Sequence, residues 1–122
     1  MTQSIKSTRE KGSEAEDIAS KFIIEKGYKI KKKNFHFGRY GEIDIIAMYK
    51  DLIVFIEVKS RTNNSYGDPL ESLTIPKQMN IKRVAEGFLY VNKIEDVQCR
   101  FDVITINTVN GKQEINHYEN AF

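Results

Sequence analysis

The stretch GEIDIIAMYKDLIVFIEVK, residues 41–59, alternates like two apolar strands, yet it carries Glu42, Asp44, Glu57 and Lys59. A turn centred between Lys50 and Asp51 sets Asp44 opposite Glu57 and Glu42 opposite Lys59. Strand alternation then projects all four from one face and leaves Ile43, Ile45, Ile56 and Val58 on the other. Two ionised carboxylates about 4 Å apart repel by roughly 4 kcal/mol at an effective dielectric near 20. Protonation of one carboxyl, a lysine bridge or a divalent cation each offsets that repulsion, and Lys59 alone brings too little positive charge for three acids. A hard ion such as Mg²⁺ (or Mn²⁺), held by carboxylates together with substrate phosphate, suits such oxygens. It polarises a phosphoryl oxygen and eases the deprotonation of water, while a lysine steadies the developing charge, so phosphodiester hydrolysis is the expected chemistry. A solvated salt-bridge face on an exposed sheet is the alternative. Ile46, Ile53 and Phe55, which belong to the charged face, argue for partial burial there.

Other elements must hold these residues in place. Ala15, Ile18, Ala19, Phe22 and Ile23 recur at helical spacing, which predicts a helix from about Lys11 to Lys26 that stops at Gly27. Glu16 and Glu14 border its apolar stripe on either side. Tyr28 to Phe37 reads as an extended basic edge strand, and Gly38 and Gly41 permit a turn before the two strands Glu42 to Met48 and Leu52 to Ser60. The polar segment that follows, with Gly67 and Pro69, is expected to be a mobile loop. Thr74 and Pro76 mark the start of a second helix, whose face is Ile81, Val84, Ala85, Phe88 and Leu89. The run CRFDVITINTV reads as a buried strand, and Asn110-Gly111 as a turn into a last strand near Glu114 to Tyr118. The order α-β-β-β-α-β-β predicts an α/β fold with a mixed sheet and helices against it.

A chain of 122 residues suits one domain, here 1–122 with residues 1–10 flexible. No apolar run approaches the roughly 20 residues of a membrane span, and the amino terminus lacks the apolar core of a signal peptide. A cytoplasmic protein with no membrane partner is expected. The single cysteine, Cys99, reads as a small buried strand residue, and His36 and His117, without zinc-like spacing, as surface or rim residues. Net charge is only +2, so local clusters matter more than the total. Lys31, Lys32, Lys33 and Arg39, with aromatic residues between them, form either a phosphate-facing rim or the lysine decoration that keeps an edge strand from aggregating. Arg61, Lys82 and Arg83 are further candidates for backbone phosphates.

The spacing of Asp44 and Glu57-Val58-Lys59, preceded by a helix with Glu16, resembles the PD-(D/E)XK nuclease superfamily and, within it, the Holliday-junction-resolvase-like proteins. The segments GSEAEDIA, GEIDIIA, FIEVKSR and RFDVI, in this order from Gly12 to Ile104, are similar to the YraN family of bacterial proteins. The resemblance implies a restriction-endonuclease-like core, with Asp44, Glu57 and the Val58 carbonyl as metal ligands and Lys59 as the catalytic lysine. It also implies that Glu16, rather than Glu14, is the additional acid. Lys77 matches a position where relatives carry a polar residue near the site, and a plain surface lysine is its other reading. Ile43 stands where the superfamily's name has proline. The function implied is a metal-dependent nuclease acting on DNA, on branched or structured DNA by analogy, with a homodimer expected where two strands must be cut. A non-catalytic nucleic-acid-binding module on the same scaffold is the first alternative, and a protein-interaction domain with a structural acidic cluster the second.

Overall fold

The computed structural model describes residues 8–62 and 70–122, with side chains from residue 12 onward. Its elements are α1 (Thr8–Glu25), β1 (Lys29–His36), β2 (Glu42–Tyr49), β3 (Leu52–Arg61), α2 (Ile75–Val91), β4 (Gln98–Val109) and β5 (Lys112–Tyr118). The element order is the one expected from the sequence. Part of the stretch expected to be flexible, residues 8–10, already belongs to α1, and residues 1–7 lie outside the described residues. Most of the expected mobile loop, residues 63–69, also lies outside them.

Local chemistry accounts for the element ends. Gly27, at φ 98°, closes α1: its N–H donates to the Ile24 carbonyl and that of Tyr28 to the Ile23 carbonyl, which satisfies the helix's last acceptors. Thr74 caps α2, accepting from the Lys77 N–H, and Pro76 occupies the first turn, where no donor is lost. Asn110 and Gly111 both have positive φ, 51° and 77°, the conformation a tight two-residue hairpin demands.

The strands form one sheet in the order β1-β2-β3-β4-β5. Only β3 and β4 are parallel, because α2 carries the chain from the end of one to the start of the other. The sheet therefore has a helix on each face. On the α1 face Ala15, Ala19 and Ile23 pack on Ile45, Ala47, Val54, Ile56, Ile104 and Ile106. On the α2 face Ile81, Val84, Ala85 and Phe88 pack on Ile43, Ile46, Ile53, Phe55 and Val103. This is an α/β fold compatible with a restriction-endonuclease-like core.

Two expectations fail around β4 and β5. Cys99 is in a strand but exposed, because β5 pairs with β4 only from Val103 onward and leaves the first residues of β4 at an open edge. His117 is no rim residue: its side chain is 4% exposed, and its Nε2 lies 2.7 Å from Oδ2 of the fully buried Asp102. Arg100 binds the same carboxylate with both Nε (2.8 Å) and Nη2 (2.7 Å), and the Asn120 N–H donates to Oδ1 at 3.0 Å. Burial pushes the Asp102 pKa up, but hydrogen bonds from His117, Arg100 and Asn120 outweigh it and hold the carboxyl below its ordinary value. The acid thus ties the carboxyl-terminal end to the start of β4. Replacing Asp102 by Ala leaves Arg100, whose side chain is only 17% exposed, without that partner. The expected cost is about 3–5 kcal/mol, read from urea denaturation; a loss within the error of the measurement contradicts the assigned role.

Candidate metal and phosphate site

The site forms where the sheet comes apart. Pairing of β2 with β3 runs from Tyr49↔Leu52 to Ile45↔Ile56 in the expected register, and then the ladder ends. Asp44 and Glu57 are the next residues on either side of this opening. Freed from a ladder partner, the Val58 N–H donates instead to Asp44 Oδ2 at 2.8 Å, so a side chain takes over where the backbone ladder stops. The expected facing of Glu42 and Lys59 is not part of the ladder. Glu42 is paired across the other edge of β2, opposite His36 of β1.

The shared face expected for the four charged residues also needs correction. Ile45 belongs to the α1-side cluster but Ile43 to the α2-side cluster, so strict alternation breaks at Asp44. The neighbouring strand breaks beside it. Asn34, at φ 53°, lies between the pairs Lys33↔Ile45 and Phe35↔Ile43. Lys33 reaches Asp17 of α1 at 2.8 Å, whereas Phe35 packs on the α2 side. Both strands thus carry one residue out of phase, which turns Asn34 and Asp44 toward α1. Glu57 and Lys59 keep their phase and line a cleft with Leu73, Lys77, Asn80 and Ile81 on the α2 side.

Glu16, one turn before Ser20 on α1, meets Asp44 from the helix side. Glu16, Glu42 and Asp44 each offer an oxygen within 4.8 Å of the others, a set that can hold a metal ion. With its amide nitrogen toward the helix, Asn34 donates to Glu16 Oε1 at 2.7 Å and Oε2 at 3.2 Å. His36 Nε2 lies 2.7 Å from Glu42 Oε2. Neither Asn34 nor His36 was singled out as a site residue. The signal for His36 was available, since a turn between Gly38 and Gly41 brings it to Glu42, whereas the phase break that aims Asn34 left no trace in the residue pattern.

Electrostatics set this group apart from a solvated charged face. Burial raises the pKa of Asp44 to about 6, with the Glu16 and Glu42 charges adding to it and the Val58 N–H opposing. Burial raises Glu57 further, to about 8, reinforced by the charge of Asp44 and only partly offset by Lys59 and the Asp44 N–H. Glu57 Oε1 is buried without a hydrogen-bond partner among the described residues. A carboxylate oxygen kept from water and from donors is costly unless a proton or a cation joins it. The donor set and the orphaned oxygen both fit a hard divalent cation. Thr105, next to Lys59 in the parallel ladder, is fully buried, and its hydroxyl also lacks a partner among the described residues.

The basic candidates separate into groups. Lys77 lines the Glu57–Lys59 cleft, and Arg83 lies over the Tyr40 ring at 5.6 Å, with Tyr40 on the cleft wall. Arg39 is exposed in the turn beside Tyr40. Arg61, at the end of β3, donates to Asn107 Oδ1 at 3.3 Å. Lys31 and Lys32 line a different groove, with Met48, Ile53 and Ile94 at the far end of the β2–β3 hairpin. Lys33 is held by Asp17, and Lys82 lies over Phe101 at 5.8 Å. The structure therefore sets Lys77 in the cleft with Glu57 and Arg83 over its Tyr40 wall, and leaves Lys31 and Lys32 in a different groove.

Raised carboxyl pKa values mean that the folded chain holds protons the unfolded chain has released. Stability of the metal-free protein is thus greatest below the ordinary values of 3.8 and 4.5, as far as these two groups go, and is lost as pH rises through about 6 and 8. Melting temperatures should fall from about pH 5 to 8, Mg²⁺ should restore the upper end, and Glu57→Gln should flatten the profile. A wild-type profile already flat without metal contradicts the assignment.

Residues 15–106 match the model of the uncharacterised protein family UPF0102. A UPF0102 protein of Alkaliphilus oremlandii is 44% identical over 113 residues, 91% of this chain and 96% of its own. One from Natranaerobius thermophilus is 43% identical over 116 residues, 93% of this chain and 98% of its own, and one from Clostridium perfringens is 45% identical over 113 residues, 91% and 92%. The matched span contains Glu16, Glu42, Asp44, Glu57 and Lys59, so the acids described above lie within the shared part of these proteins. The family-level resemblance read from the four sequence segments is borne out: the chain belongs to the uncharacterised protein family UPF0102.

Proposed function

We propose that this protein is a metal-dependent phosphodiester hydrolase acting on nucleic acid, with DNA as the first substrate to test. The observation that carries the reading is the buried, unpartnered oxygen of Glu57 beside Asp44, with Lys59 one residue further along the same side of β3. Asp44, Glu57 and the Val58 carbonyl would hold Mg²⁺ or Mn²⁺, and Glu16 and Glu42 would add negative charge from the α1 side. When bound, such an ion supplies Lewis acidity toward a phosphoryl oxygen and lowers the pKa of water.

The chain's own residues account for the rest. The Val58 N–H donates to one oxygen of Asp44 and so orients this carboxylate. Lys59, in the cleft with Glu57, would offset the charge that develops on the phosphate. Lys77 and Asn80 line the same cleft and can take the non-reacting oxygens of the strand. His36 and Asn34 brace Glu42 and Glu16 on the opposite side.

Titration calorimetry with Mg²⁺ or Mn²⁺ tests the site. The wild type should bind, and the Asp44→Asn, Glu57→Gln double variant should not; equal weak binding by both overturns the reading. Lys59→Ala should lower cleavage of plasmid, junction or flap substrates by roughly 10²–10³-fold while changing oligonucleotide affinity little. Metal and DNA binding without cleavage of any of these substrates would make the protein a binding module.

A further inference from the structure

The Glu57–Lys59 cleft has a neighbour. A second cleft, lined by Phe37, Tyr40, Arg83, Glu86, Gly87 and Tyr90, shares Tyr40 with the first. Each measures about 260 Å³, below the roughly 300–1,000 Å³ of a typical small-molecule site. Two such spaces on either side of one tyrosine suit successive units of a chain better than one compact ligand.

The lining of the second cleft is of a particular kind. Three aromatic side chains meet there with one guanidinium, which lies 5.6 Å from the centre of the Tyr40 ring. Tyr90 is 82% exposed, although burying an aromatic ring is favourable. Gly87 makes the arrangement sterically feasible: a Cβ there would lie 2.3 Å from Phe37 Cγ, so the Phe37 ring rests against the bare helix backbone. Glu86 brings a negative charge that repels phosphate but can accept from an exocyclic amino group. The cleft beside it offers Lys59, Lys77 and Asn80, together with Glu42 and Glu57, whose charge a bound cation would offset. Phosphate-compatible groups thus stand in one cleft and π-stacking groups in the next.

We propose that the Phe37–Tyr40–Arg83–Tyr90 cleft receives an unpaired nucleobase of a strand whose phosphate lies in the Glu57–Lys59 cleft. The assignment rests on the hydrolase reading for its phosphate position, and it fixes the substrate class: nucleic acid with unpaired nucleotides, such as a single strand or the arm of a branched structure. A continuous duplex keeps its base faces stacked inside the helix and presents none to Tyr40.

Fluorescence anisotropy with a labelled oligothymidine, alone and paired with oligoadenosine, tests this in an Asp44→Asn background without divalent cation, where nothing is cut. Stacking on an aromatic residue contributes about 1–3 kcal/mol per base, so Tyr40→Ala should weaken single-strand binding about 5- to 150-fold and leave duplex binding nearly unchanged. Tyr40→Phe should retain single-strand affinity. Arg83→Gln, at an exposed position where folding is not at stake, should also weaken the single strand more than the duplex. Equal losses on both probes, or no loss with Tyr40→Ala, overturn the proposal. Selective loss in a protein whose wild type cuts nothing supports the base cleft and removes only the hydrolase reading, so the two failures are distinguishable.

Discussion

The constraint on which the candidate site depends is the meeting of two half-buried carboxyls at the point where the β2–β3 ladder opens. A sheet normally satisfies each N–H with a carbonyl on the next strand, and an opened pair must find substitutes. Here the Val58 N–H finds Asp44, which brings this acid against Glu57. One Glu57 oxygen remains buried with no donor among the described residues. The chain tolerates this because most of its stability comes from elsewhere: an apolar layer on each face of the sheet and the clamp around Asp102. In this account the rest of the fold stabilises a local arrangement that is unfavourable without a cation.

The same opening separates the charges by side. Glu16, Glu42 and Asp44 form one acidic group reached by α1, whereas Lys59 and Lys77 line the cleft toward α2 together with Glu57 and Glu42. A sheet with unbroken alternation could not do this, since it would set Glu42, Asp44, Glu57 and Lys59 on one face. The out-of-phase residues in β1 and β2 are therefore the backbone feature that spreads a row of charges over two sides of the sheet. Under the proposed function, the strand would lie along the α2 side, where Tyr40 and Arg83 stand beside the same cleft.

Much of this was legible in the sequence because it rests on short-range rules. Helical spacing located α1 and α2, Gly27 and Thr74 located their ends, and the two-residue turn at Lys50-Asp51 fixed the hairpin register from Ile45 to Tyr49. Spacing and family resemblance pointed to Asp44, Glu57, Lys59 and Glu16 as the candidates. What escaped was long-range or contrary to pattern. The face of Ile43 was misassigned because a strand's alternation carries no mark of a break imposed by its neighbour. His117 was misread because the acid that buries it, Asp102, lies on another strand. Cys99 was misread because β5 is shorter than β4, which no local signal in β4 records.

The most direct test of the central claim is anomalous diffraction from crystals of the protein soaked in Mn²⁺. The account predicts an ion shared by the Asp44 and Glu57 carboxylates. No bound ion, or one held by Glu16 and Glu42 while Glu57 stays unengaged, would contradict it.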